Sequence, residues 1–87
     1  MTIDLTVNIW KEGPQFVAHA LPLDVISSGP TPQAARDAVD EAVACFVKTA
    51  ADQGTLETLL QECGYTLRDG AWIGPDWIGA ERHAVAV

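Results

Sequence analysis

Ser27–Val39, "SSGPTPQAARDAV", is the stretch on which the fold turns, because a β-type run ends inside it and a helix begins. A threonine just before a helix accepts a hydrogen bond from a free backbone N–H of the first turn. A proline fits the first helical position, where its missing N–H has no intrahelical partner to lose. Thr31 and Pro32 stand in that order. Helix N-termini also hold phosphates through the same free N–H groups. A phosphate cradle, however, normally carries several glycines and a nearby Lys or Arg. Here Gly29 stands alone, Pro30 and Pro32 offer no N–H, and the nearest basic residue, Arg36, lies a turn into the helix. The spacing predicts a structural helix start capped by Thr31.

Working outward, the helix is expected from Pro32 to about Gln53, with Gly54 closing it. Its apolar stripe is Ala35, Val39, Ala42, Val43, Phe46, Val47 and Ala50. A shorter helix follows Thr55 as cap, turns Leu56, Leu59, Leu60 and Cys63 inward, and stops at Gly64. Upstream, Ile3, Leu5, Val7 and Ile9 alternate with Asp4, Thr6 and Asn8, which predicts one half-buried strand. Gly13-Pro14 marks a turn into "FVAHALPLDVISS", which Pro22 divides into two strands or a strand and a bend. Downstream, Asp69-Gly70 between β-type runs signals a two-residue hairpin. Arg82–Val87, with His83, Val85 and Val87 alternating with Ala84 and Ala86, reads as a last strand. The expectation is one α+β domain over residues 1–87: a small antiparallel sheet with one long helix packed on it, a short second helix and C-terminal strands.

With 48% hydrophobic residues the chain can bury a modest core. No apolar run approaches the roughly 20 residues that span a bilayer, and no signal peptide is visible at the start, so a cytoplasmic protein without a membrane association is expected. Twelve acidic against five basic residues give a net charge of −7, which repels nucleic-acid phosphates and attracts basic partners. Cys45, Cys63, His19 and His83 show neither C-x-x-C nor H-x-x-x-H spacing, so no metal is expected, and both cysteines read as small core residues.

Nucleophilic catalysis would need Ser27, Ser28 or a cysteine beside His19 or His83, and no Gly-x-Ser-x-Gly elbow is present. Asp37, Asp40 and Glu41, three and four residues apart, share one helix face. They are the candidate binding residues for a basic partner, with a solvated charged face as the plainer reading. Trp10, Trp72 and Trp77 read as core filling, and any of them left exposed would mark an interface.

Gln15–Val47 resembles the HicB-type antitoxin domain. Phe16, Val17 and Ala18 match its aromatic-Val-Ala segment, and Leu23, Asp24, Val25, Ser27, Gly29, Thr31 and Ala35 match its Leu-Asp-Val-x-Ser-x-Gly-x-Thr-x-x-x-Ala run. Glu41 and Ala42 match the acidic helix. The likeness runs from the first strand to about Ala50, and the remainder is similar to the tail of solitary HicB-like members. Pro30 stands where the family usually has an acidic residue, and Gln33-Ala34 replace its usual Glu. The resemblance implies a β-β-β-α-β core like a reduced ribonuclease H fold without its catalytic carboxylates. It implies a non-enzymatic module that needs no cofactor and neutralises a small basic RNA-cleaving toxin of the HicA type. Many members add a DNA-binding segment, and none is recognisable here, so direct nucleic-acid binding is not expected. Pairing with a second copy to cover sheet edges is expected, with Arg82–Val87 as the edge. Two readings stay open beside this one: a metal-dependent ribonuclease H-like nuclease, degenerate or active, and a HicB fold with no toxin partner.

Overall fold

The Ser27–Val39 joint brings a strand against the helix that follows it, and the computed structural model, which describes Met1–Val87, shows how closely. The strands are β1 (Thr2–Ile3), β2 (Thr6–Glu12), β3 (Gln15–Leu21) and β4 (Val25–Gly29), followed by helices α1 (Pro32–Asp52) and α2 (Leu56–Glu62), then β5 (Thr66–Arg68) and β6 (Ala71–Ile73). The class is α+β, with one long helix against a small antiparallel sheet of order β2-β3-β4. A second sheet, β1-β6-β5, pairs β5 with β6 antiparallel and β1 with β6 parallel.

The alternation from Ile3 to Ile9 does not make one strand. It breaks at Asp4-Leu5, so that Thr2–Ile3 join β6 while Thr6–Glu12 join β3. Distant groups hold the crossing point: the Asp4 N–H donates to the Trp72 carbonyl (3.0 Å), and the Tyr65 hydroxyl donates to the Asp4 carbonyl (2.6 Å). The backbone of Asp4 is thus satisfied without a continuous ladder.

Pro22 ends β3, and β4 starts after a bend at Leu23-Asp24. Both helices stop in the same way. Gly54 and Gly64 take φ of +73° and +92°, the Thr55 and Tyr65 N–H groups reach back to Ala50 and Leu60 carbonyls, and each end is a Schellman motif. The hairpin at Asp69-Gly70 has both residues at positive φ (51° and 78°), as a type I′ turn requires.

Ala18 and Ala20 of β3 face α1, and their cross-strand partners Ile9, Val7, Ser27 and Val25 share that side of the sheet. Ala18 and Ala20 form one continuous core with Leu23, with Ala35, Val39, Val43 and Ala50 of α1, Leu56 and Leu60 of α2, Tyr65 and Trp72, and Val7, Ile9 and Val25 pack against it. Small residues on both surfaces let helix and sheet approach closely. Phe46 and Ala42, counted in the apolar stripe, stay outside the fully buried set, and Phe46 is exposed.

Three further expectations are corrected. Arg82–Val87 is not a strand, because its backbone pairs with no edge of either sheet and alternation alone supplies no ladder. Cys45 is exposed, since it falls on the flank of α1 away from Val39 and Val43, while Cys63 is half-buried against the core as expected. Thr55 precedes α2 but does not cap it with its side chain; its hydroxyl donates backward to the Ala50 carbonyl (3.3 Å) and ties the two helices together.

Candidate functional site

Thr31 has extended backbone and its Oγ1 accepts from the Ala34 N–H at 3.0 Å, so the cap forms as the sequence predicts. Gly29 has a different reason to be there. A Cβ on it would lie 2.8 Å from both the carbonyl carbon and the Cβ of Ala34, closer than real carbon atoms approach. The end of β4 therefore presses directly on the first turn of α1, and only glycine fits.

Asp37, Asp40 and Glu41 are all exposed on α1. Asp37 accepts a hydrogen bond from Gln33 Nε2 (2.9 Å), and the same Gln33 accepts from Arg36 (3.4 Å). None of the three carboxylates forms an ion pair, whereas Lys48 further along the helix is paired with Asp52 (2.8 Å). The face is thus negative, with Arg36 beside it reaching Gln33 and not a carboxylate. Nowhere do three His, Cys, Asp or Glu side chains converge on a point a cation could fill. Asp4, the first-strand carboxylate that a ribonuclease H-like centre would draw on, lies at the β1–β2 crossing and not on the α1 face.

His19 meets Asp24, not a serine. Its Nε2 lies 2.5 Å from Asp24 Oδ1, and neither Ser27 nor Ser28 hydrogen-bonds to it. Asp24 takes φ of +63° at the bend after Pro22, which aims its carboxylate back along β3. His19 is largely covered but Asp24 is mostly exposed, so the pair lacks the buried orienting carboxylate of a hydrolase triad. His83 likewise meets only Glu81 (3.0 Å), on the exposed segment after β6.

The side of the β2-β3-β4 sheet away from α1 is a second exposed surface. Cross-strand register puts Trp10, Val17 and Ser28 in one row and Asn8, His19 and Ile26 in the next. Trp10 and Ile26 are exposed (38% and 57%), Val17 is buried yet stands outside the main core, and the Trp10 and His19 rings meet edge-on at 6.2 Å. The Trp10 indole N–H donates to Glu12 at 3.1 Å. One sequence signal pointed here: Trp10 falls on the parity of Asn8 and Thr6, the polar side of its strand. Trp72, by contrast, fills the core, its Nε1–H directed at Met1 Sδ (3.1 Å), and Trp77 is exposed.

No helix is long and apolar enough to cross a membrane. Comparison of the chain with protein-family models, with curated proteins and with solved structures finds no match.

Proposed function

We propose that this chain is a non-catalytic protein-binding module of the HicB antitoxin type, whose acidic α1 face receives a small basic RNA-cleaving protein of the HicA type. The observation that carries this reading is the unpaired face of Asp37, Asp40 and Glu41 on a chain of net charge −7. Charges left uncompensated in the free protein cost little in water and become complementary contacts when a cationic surface approaches. The resemblance of Gln15–Val47 to HicB-type sequences supplies the identity of that cationic partner.

The experiment is co-purification with a basic HicA-like protein, ideally the product of the neighbouring reading frame, followed by an RNA-cleavage assay on the mixture. The expected result is cleavage by the partner alone and its suppression by a stoichiometric amount of this chain. The purified chain itself, given RNA and Mn²⁺, should cleave nothing. Mn²⁺-dependent cleavage that disappears in Asp40→Asn would make the protein a nuclease instead.

A further inference from the structure

Residues 74–87 follow β6 without joining either sheet. They carry Trp77 at 50% exposure, Val85 at 87%, and Ile78 and Val87 fully exposed. The radius of gyration is 14.8 Å and the longest dimension 42 Å, whereas a compact chain of this length has a radius near 12 Å. An apolar arm thus stands away from the body.

Its departure has a local cause. Pro75 has no N–H with which to prolong the ladder of β6. Gly74 is seated against Pro22 and Tyr65, where a Cβ would meet them at 3.5 and 3.6 Å. Gly74 thus lies beside the bend that follows β3, and no residue beyond it joins a ladder.

β2 is the complementary open feature. It pairs with β3 on one side only, so one edge of its seven residues offers unpaired backbone groups. On its α1 side Val7 and Ile9 are only half-buried, and on its other side Trp10 is exposed. Arg82–Val87 alternates in the way a strand beside β2 requires, with either His83, Val85 and Val87 or Ala84 and Ala86 falling next to Val7 and Ile9. The arm does not cover its own β2, and a second copy presents the same edge.

We propose that Arg82–Val87 of one copy adds as a strand to the free β2 edge of a second copy, reciprocally, giving an arm-exchanged dimer. The added strand pairs its backbone with the open β2 edge and covers Val85 and Val87, both exposed in the free chain, in each of the two copies, so the contact is made twice. Each copy carries a charge of −7, so association works against repulsion that salt screens. The dimer therefore tightens as salt is added, whereas binding of a basic partner to the α1 face weakens. This inference does not involve Asp37, Asp40 or Glu41, and the two readings fail separately.

The test is sedimentation equilibrium of the full chain at low and high salt over micromolar to submillimolar concentration, with amide hydrogen exchange at both concentration extremes. The expected results are a monomer–dimer equilibrium strengthened by salt and protection of Thr6–Glu12 and 82–87 that rises with concentration. V85D combined with V87D should weaken dimerisation at least about tenfold in Kd. The thermal melt of that variant at high dilution should match the unaltered chain, since the arm is outside the core. A monomer under all conditions, a dimer indifferent to V85D/V87D, or protection appearing on β4 or β5 overturns the proposal. So does concentration-independent protection of the arm, which would mean that it covers its own body.

Discussion

At the scale of single residues, Gly29 and Thr31 are two separate requirements in one joint. Thr31→Ala removes a hydrogen bond to the Ala34 N–H and should cost about 0.5–2 kcal/mol, with Thr31→Ser restoring most of it. Gly29→Ala drives a methyl into the backbone of Ala34 and should cost about 1–3 kcal/mol, as overpacking does. Urea denaturation of the three variants checks both, and an unchanged midpoint for Thr31→Ala would show that the cap contributes nothing. Tyr65, the one tyrosine, offers a pH test. Burial, reinforced by Cys63 and Asp4 nearby, pushes its phenol from 10.0 up to about 12. Between those values the folded chain holds a proton that the unfolded chain releases, so stability is fully present below pH 10 and falls as pH rises toward 12. Denaturation midpoints on either side of pH 10 should show this fall, and Tyr65→Phe should abolish it. Absorbance titration of tyrosinate should give a high pKa in the folded chain and an ordinary one in urea.

At the scale of elements, α1 presents Ala35, Val39, Val43 and Ala50 to the sheet and a line of carboxylates to water. Reversing Asp37, Asp40 and Glu41 to Lys leaves that buried stripe intact, so the melt should change little. Toward a basic partner, the association rate should fall more than the dissociation rate rises, because complementary charge acts chiefly on encounter and orientation. Stopped-flow binding separates the two, and a change confined to dissociation would assign these residues to a desolvated contact. Arg82–Val87 illustrates the opposite situation. It has the alternation of a strand but no adjacent edge within its own chain, and a strand without a neighbour is only an extended segment.

At the scale of the whole molecule, net charge and shape act together. A body of charge −7 with no compensating basic face repels duplex DNA, and no salt-sensitive affinity is expected near physiological ionic strength. Fluorescence anisotropy with a labelled duplex checks this, and a steep loss of binding between low and moderate salt would contradict it. The same charge gives the two association modes opposite salt responses, so one salt series on the free chain and on its mixture with a basic partner distinguishes them.

The start of α1, the ends of both helices and the two hairpins were legible in the sequence because they depend on local chemistry. Thr31 and Pro32 start α1, Gly54 and Gly64 supply the left-handed residues that end α1 and α2, Gly13-Pro14 turns β2 into β3, and Asp69-Gly70 turns β5 into β6. Each of these needs only residues within one turn of itself. The division of the first alternating run between two sheets was not legible, because the hydrogen bonds that permit it come from Tyr65 and Trp72, far along the chain. Nor was the reason for Gly29, which depends on how closely β4 lies on α1. The open side carrying Trp10 and Ile26 was not legible: Trp10 reads as core filling, and only cross-strand register shows it beside Val17 on the side away from α1. Periodicity fixes which side of an element is apolar, since side chains alternate with the backbone. Which sides are covered, and which edges stay open, is decided by contacts between segments distant in sequence, and those exist only once the chain has folded.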